Sequence, residues 1–243
     1  MLESEPGGTG SYLHYLIVGL GWTLATALAA WVIALTVGAI IGTLRTTPLK
    51  WVVRAGNLYV EIFRNIPLIV QMFLWFFVVP ELLPKELGDW IKQVPPPWGS
   101  YIPAVLCLGI FTSVRVAEQV KAGIQSLPRG QRFAGTAIGL TEAQTYRYVV
   151  LPQAFRIILP PLTSEFMNII KNSSVALTIG LLELTGRARA MQEFSFRVFE
   201  AFTAATVIYL LTNLIVVLGM RALEKKVRVP GLIAAGGAPM AGH

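Results

Sequence analysis

The chain is dominated by five long apolar runs, and the charged residues are concentrated between them. The runs cover approximately residues 16–44, 58–83, 102–124, 157–182 and 201–223, and the second is interrupted by Pro67. A helix needs roughly 20 residues to cross a hydrocarbon core about 30 Å thick. Within lipid only helices and closed barrels satisfy their backbone hydrogen bonds, and the runs do not alternate as barrel strands do. We therefore predict an all-α membrane protein with about five transmembrane helices.

The composition agrees with a membrane protein and disfavours several soluble classes. Of the 243 residues, 54% are hydrophobic and 14% are charged, whereas a soluble domain carries about 25% charged residues. The net charge is +7, but the cations lie between apolar runs, which disfavours nucleic-acid binding. Cys107 is the single cysteine, and the two histidines lie far apart. We expect no internal disulfide and no metal site.

The distribution of Lys and Arg predicts the orientation of the helices. Cations are concentrated after the first and third runs and after the fifth, which indicates the cytoplasmic side. An odd number of spans then places the N-terminus outside. We expect a periplasmic segment at 1–15, a membrane domain at 16–224 and a cytoplasmic tail at 225–243. Arg187, Arg189 and Arg197 lie on the opposite side, and their role is left open; a polar cavity lined by them is one interpretation.

The cytoplasmic loop at 126–156 is predicted to form two short helices around a glycine. Pro128 suits a helix start, 131–138 suits a short helix, and Gly139 suits its left-handed end. Thr141 and Gln144 have capping-box spacing, and Pro152 is predicted to end the second helix at Leu151. Such a hairpin could be a lever for a partner, a plain surface feature, or an amphipathic element on lipid.

Several ionisable residues fall in or beside the predicted spans, where unpaired charges are expensive. Glu61 with Arg64, and Arg115 with Glu118, have the spacing of neighbours on a helix and are predicted to form structural pairs. Lys171 lies deep in the fourth run and is predicted to be a buried cation, and none of its neighbours three and four residues away is charged. It could bind a substrate carboxylate or pair with a carboxylate on another helix. The candidate substrate path is Asn168, Lys171, Asn172, Ser173 and Gln71.

Four segments resemble the polar amino acid uptake subfamily of ABC importer permeases. The stretch 134–161, AGTAIGLTEAQTYRYVVLPQAFRIILPP, is similar to the subfamily's cytoplasmic EAA loop. The stretches EIFRNIPLIVQ at 61–71, KNSSVALTIGLLELT at 171–185 and LEKKVRVPG at 223–231 extend the resemblance. The likeness is greatest to permeases for glutamate and aspartate. Two positions depart from the pattern: Phe133 stands in place of a glutamate and Gly135 in place of an alanine, so a salt bridge made by that glutamate cannot form here.

The resemblance implies a type I ABC importer membrane domain in the bacterial inner membrane, with several protein partners. These are a cytoplasmic ATPase dimer, a second permease, identical or similar, and a periplasmic amino-acid-binding protein. The chain lacks the Gly-x-x-x-x-Gly-Lys-Ser/Thr loop, so ATP and Mg would be bound by the ATPase and this chain would be no enzyme. The residues implied in coupling to the ATPase are Ala134, Gly135, Gly139, Thr141, Glu142, Leu151 and Pro152.

The sequence leaves three alternatives to an acidic amino acid permease. Within the same family, the substrate could be a neutral amide such as glutamine or asparagine. A secondary transporter or channel would need no docking hairpin. A membrane enzyme would need a nucleophile and a base, for which Lys171 with Ser173 or Ser174 is weak support.

Overall fold

The computed structural model describes residues 11–227, and all regular structure in that range is helical. The first ten residues and the residues after 227, including most of the predicted periplasmic segment and cytoplasmic tail, lie outside the described range. The helices are α1 Tyr12–Leu44, α2 Lys50–Asn65, α3 Leu68–Leu82, α4 Lys85–Lys92, α5 Trp98–Gln125, α6 Arg129–Ala137, α7 Glu142–Thr145, α8 Leu151–Asn172, α9 Leu184–Ser195 and α10 Val198–Val227.

Three of these helices, α1, α5 and α10, are long and apolar enough to cross a membrane. The first, third and fifth predicted spans correspond to them. The pair α2 and α3 adds a fourth candidate if it is counted as one broken span, because the two helices meet at an angle of 101°. The fourth predicted span corresponds to α8, whose composition includes Arg156, Glu165 and Lys171 and which does not reach the same apolar length. The total of about five spans stays a prediction.

The bundle is centred on α1 and α5, which pack together closely. Gly38 and Gly42 lie one turn apart on α1 and face α5. A Cβ atom added at Gly38 would lie 2.7 Å from the carbonyl oxygen of Ser113, and one at Gly42 would lie 2.7 Å from that of Ala117. Two small residues at this spacing let helix backbones approach closely, which is how membrane helices associate where lipid supplies no hydrophobic driving force.

The break between α2 and α3 occurs at Pro67, as the sequence predicted. Gln71 braces this bend, because its side-chain amide nitrogen donates to the carbonyl oxygens of Phe63 at 2.8 Å and Ile66 at 3.0 Å. These carbonyls belong to the last turn of α2, where the helix itself leaves acceptors unpaired.

The prediction that a helix ends at Leu151 before Pro152 was wrong. A π-helical turn over Tyr146–Val150 joins α7 to α8, and the chain stays helical through Pro152. Proline lacks the N–H that an α-helix needs and its ring crowds the carbonyl four residues earlier. The wider π turn changes the hydrogen-bond register at that point, so the chain accommodates the proline without breaking the helix.

Candidate functional site

The loop at 126–156 forms a helical hairpin, which we define as α6, the turn at 138–141 and α7 with its π turn. Gly139 has φ +86°, a left-handed conformation that glycine adopts without steric cost. The hydroxyl of Thr141 accepts from the backbone N–H of Gln144 at 3.3 Å, while the backbone N–H of Thr141 donates to the Gln144 side chain at 2.9 Å. The predicted glycine turn and capping box are confirmed.

The glycine at position 135 explains how the two arms of the hairpin come together. A Cβ atom at Gly135 would lie 2.7 Å from the Cγ2 atom of Thr145 and 2.9 Å from its Oγ1 atom. Both residues are buried. The alanine of the subfamily pattern would force the arms apart at this position. Glycine in its place lets the two arms pack closely.

Tyr146 attaches the hairpin to the end of α1. Its hydroxyl donates to the carbonyl oxygen of Thr46 at 2.8 Å and lies 3.2 Å from the Thr46 hydroxyl. Arg132 on the other arm donates to the same tyrosine oxygen, and its guanidinium lies 4.7 Å from the centre of the tyrosine ring. A single aromatic side chain therefore connects both arms of the hairpin to the turn that follows α1.

Arg45, the residue before Thr46, is buried and belongs to a polar cluster between three helices. Its Nη2 atom lies 3.0 Å from the Glu118 carboxylate on α5, and its Nε atom donates to Asn57 on α2 at 2.8 Å. Only 5% of the arginine side chain is exposed. The cluster and Tyr146 together link the hairpin to α1, α2 and α5 through consecutive residues.

The hairpin presents apolar side chains to its surroundings instead of burying them. Phe133 is 69% exposed, Ile138 is 77% exposed and Tyr148 is 62% exposed. A cavity of about 410 Å³ opens beside Phe133; its lining residues are Thr46, Thr47, Pro48, Arg132, Phe133 and Glu142. Clustered exposed aromatic and aliphatic residues around a recess are typical of protein docking surfaces.

Comparison with known families decides what kind of bundle carries this hairpin. Residues 34–229 match the family described as "Binding-protein-dependent transport system inner membrane component". The chain belongs to this family. It is therefore an inner-membrane permease component of an ABC transporter.

Individual relatives extend the match to most of the permease. The glutamate/aspartate import permease protein GltJ of Escherichia coli (strain K12) is 48% identical over 231 residues, which are 95% of this chain and 94% of that protein. The probable amino-acid ABC transporter permease protein PatM of Vibrio harveyi is 34% identical, over 81% of this chain and 84% of that one. A crystal structure of an amino acid ABC transporter with histidines superposes with a TM-score of 0.74 at 30% identity, covering 88% of this chain and 95% of that chain. The type I ABC importer fold follows from these matches.

The residues implied in coupling lie together in the permease's hairpin and at its exit. Ala134, Gly139, Thr141 and Glu142 are exposed and Gly135 is buried. The two remaining residues, Leu151 and Pro152, lie at the start of α8.

Lys171 was predicted to be buried in a span, and in the single chain it is exposed. Within residues 11–227 it forms no ion pair. Asn168 and Asn172 lie on the same helical face and are partly buried. Ser173 is buried, and its hydroxyl donates to the carbonyl of Ile170 at 2.7 Å. The fifth candidate, Gln71, lies apart in the α2–α3 bend, and its buried Oε1 atom accepts no hydrogen bond within the described residues.

The predicted charge pairs were wrong in their partners. Glu118 pairs with Arg45, and Arg115 pairs with Glu165 on α8 at 3.5 Å. The other two charges, Glu61 and Arg64, are both exposed, and neither forms an ion pair in the part of the chain that the structure describes. Spacing along one helix identified the charged residues but not their partners, which lie on other helices.

Glu183 is a buried polar centre that the sequence analysis missed. Its carboxylate accepts from the Thr23 hydroxyl on α1 at 3.2 Å and from the Tyr209 hydroxyl on α10 at 2.8 Å. It also accepts from the backbone N–H groups of Thr185 at 3.0 Å and Gly186 at 2.8 Å, so it caps α9. An acidic residue at the end of an apolar run and directly before a helix start was the signal that could have identified it.

Proposed function

We propose that this permease is the membrane-spanning subunit of an ATP-driven importer for glutamate and aspartate. The observation that carries the substrate class is the 48% identity to a glutamate/aspartate import permease over 95% of this chain. An identity of this level across nearly the whole chain supports a shared substrate class more strongly than the fold does, because one fold serves many functions.

Energy coupling would occur through the hairpin. An ATPase dimer that binds ATP and Mg would dock on the exposed residues around Phe133 and Ile138. Movement of the docked hairpin would pass through Tyr146 to Thr46, and from there to the Arg45 cluster that holds α1, α2 and α5. The physical support is that these contacts are continuous and short, so the hairpin and the helix ends would move together.

The complete importer would require further partners. A second permease, identical or similar, would enclose the path with this chain, and a periplasmic binding protein would deliver the amino acid. The proposed arrangement has five spans, with α8 as the fourth, the N-terminus outside and the C-terminus cytoplasmic. Helix α10 would contact lipid or the second permease, because its apolar side chains Leu210, Leu214 and Ile215 are exposed in the single chain.

The substrate path would run along the face of α8 that the single chain leaves exposed. Lys171 would face the partner permease and bind a substrate carboxylate, with Asn168 and Asn172 beside it. Desolvation by the second subunit would strengthen that interaction, since a charge-assisted hydrogen bond gains in a low dielectric. Ser173 and Gln71 contribute to the path less directly, because each already donates to a backbone carbonyl.

Reconstitution into proteoliposomes tests the proposal. The permease, its ATPase, the second permease and the binding protein would be supplied with glutamate, aspartate, glutamine or asparagine, with ATP or ADP inside. We expect ATP-dependent uptake of the two acids. Uptake of the amides alone would identify a neutral amide permease, and uptake that proceeds equally without ATP would identify a secondary transporter or channel.

A further inference from the structure

Arg187 is held along its whole length against α1, at the end of the bundle opposite the hairpin. Its Nε atom donates to the carbonyl oxygen of Leu182 at 3.2 Å, and its guanidinium carbon lies 4.3 Å from the centre of the Tyr15 ring. A Cβ atom at Gly19 would lie 2.8 Å from the Cδ atom of Arg187. Tyr15 and Gly19 are one helical turn apart, so they form a cradle that orients the arginine.

The outer edge of this guanidinium has no protein partner in the described range. Within residues 11–227, the two Nη atoms of Arg187 donate no hydrogen bond and the side chain forms no ion pair. The carboxylate of the nearby Glu183 already accepts from four donors. Arg189, two residues further along α9, is paired instead: its Nε atom lies 2.9 Å from the Glu193 carboxylate.

Arg187 lines a cavity of about 340 Å³ between the α1 helix and two connecting segments. Trp22 supplies one wall, Pro96 and Pro97 supply another, and the turn at 180–182 closes the third. Within the described residues, Arg187 is the charged residue of this lining. Pockets for small ligands begin at about 300 Å³, so the cavity is suited to an amino acid.

We infer that this cavity is an outer binding site for a carboxylate of the amino acid substrate, where Arg187 receives the substrate on its way inward. Two N–H groups on the free edge of a guanidinium match the two oxygens of a carboxylate. Trp22 is part of the same lining, and an indole ring can bind an ammonium group such as that of the substrate. The cradle fixes the arginine beforehand, which lowers the entropy lost on binding. The inference rests on the proposed import of acidic amino acids and adds a site that precedes Lys171.

The test uses the complete complex in proteoliposomes, with wild-type, Arg187→Gln, Arg187→Lys and Arg189→Gln permeases. Arg189→Gln is the matched control, because it removes an arginine from the same helix that does not line the cavity. The binding protein loaded with L-glutamate is titrated against each complex. We expect Arg187→Gln to lower the maximal ATP-driven uptake by about tenfold without changing the half-saturating concentration of binding protein. The maximal uptake of Arg187→Lys should lie between those of the wild type and Arg187→Gln, since lysine keeps the positive charge but cannot form two parallel hydrogen bonds with a carboxylate.

Direct binding of radiolabelled L-glutamate to the solubilised permease–ATPase complex, without the binding protein, provides the second measurement. We expect Arg187→Gln to weaken that binding by about tenfold and Arg189→Gln to leave it unchanged. A raised half-saturating concentration of binding protein at full maximal rate would show that Arg187 docks a protein, and the inference would be overturned. Equal uptake and binding by Arg187→Gln and Arg189→Gln would also overturn it. If Arg187→Gln fails to assemble, Arg187→Lys is tested in its place, and wild-type uptake and glutamate binding by Arg187→Lys would overturn the inference. Absence of ATP-driven glutamate uptake by the wild type would instead refute the proposed function itself.

Discussion

The hydroxyl of Tyr146 in the cytoplasmic hairpin donates a 2.8 Å hydrogen bond to the carbonyl oxygen of Thr46, 100 residues earlier in the chain. Thr46 follows Arg45, which is anchored to Glu118 on α5. The hairpin is therefore attached to the helix bundle at the residue next to a buried arginine whose ion-pair partner is partly exposed. This contact adds a connection to α1 to the covalent connections that the hairpin makes with α5 and α8.

Tyr146→Phe should weaken coupling while preserving the fold. The substitution keeps the ring beneath Arg132 and removes the hydroxyl, which donates to Thr46 and accepts from Arg132; each such hydrogen bond is worth about 0.5–1.5 kcal/mol. We expect several-fold fewer glutamate molecules imported per ATP hydrolysed, measured by parallel uptake and phosphate-release assays. Tyr148→Phe is the matched control, because Tyr148 is 62% exposed. Equal transport-to-hydrolysis ratios for the two variants would contradict a role for the Tyr146–Thr46 bond.

Gly139→Ala should destabilise the hairpin because its φ of +86° is strained for a residue with a Cβ atom. The left-handed conformation costs about 1–2 kcal/mol for such residues. Gly139→Asn should be milder, since asparagine tolerates that region. Gly130→Ala is the control: an added Cβ atom meets nothing within 4 Å there. Transport rate and the affinity of the permease for its ATPase measure the effect, and equal values for Gly139→Ala and Gly130→Ala would show that the turn is not needed.

Features decided by a few neighbouring residues could be predicted from the sequence. Pro67 broke a helix, Gly139 took a left-handed conformation, and Thr141 with Gln144 formed a capping box. Each depends on backbone geometry within about four residues, so the local pattern contained the necessary information. Pro152 was misjudged because a π turn, which has no clear sequence signal, preceded it.

Features that depend on the approach of separate helices could not be predicted in this way. The partners of Glu118 and Arg115 lie 73 and 50 residues away along the chain, and the spacing rule used for pairing considers only one helix. Lys171 was assigned to the interior because it lies deep in the fourth apolar run, but the side of α8 that packs inward was decided by α5 and α10. Glu183 was overlooked because its four donors come from distant helices and from its own cap.

The Arg45–Glu118 pair predicts a specific pattern in a double-mutant cycle. Glu118→Ala leaves the buried Arg45 charge without its carboxylate, and the loss of a hydrogen bond to a charged group costs about 1.5–3 kcal/mol. Adding Arg45→Met should recover part of the loss, because an apolar replacement removes the stranded charge. The loss and its recovery are measured as changes in the free energy of unfolding or in the thermal midpoint of the complex. Additive effects of the two substitutions would contradict the pairing.

Glu183→Gln should destabilise the end of the bundle opposite the hairpin. The four groups that contact the carboxylate all donate to it, three to Oε2 and one to Oε1, so a glutamine amide presents a donor N–H₂ to at least one of them. We expect a loss of about 1.5–3 kcal/mol, measured as a lower thermal midpoint of the complex. Glu193→Gln is the control, because Glu193 is exposed and pairs with Arg189 one turn away, an interaction worth about 0.3–0.5 kcal/mol. Indistinguishable midpoints for the two variants would mean that Glu183 does not hold α1, α9 and α10 together.

Lys171→Met tests the substrate path directly. Lys171 is exposed in the single chain and has no ion-pair partner within residues 11–227, so its removal leaves no buried carboxylate behind. If the residue binds a substrate carboxylate at the contact with the second permease, glutamate uptake should fall about tenfold or more, as for a lost charge-assisted hydrogen bond. Lys226→Met, at the exposed end of α10, removes the same charge away from the proposed path and should leave uptake unchanged. Glutamate transport by Lys171→Met at the rate of Lys226→Met would exclude the lysine from the path, while an equal loss in both would point to net charge instead of a site.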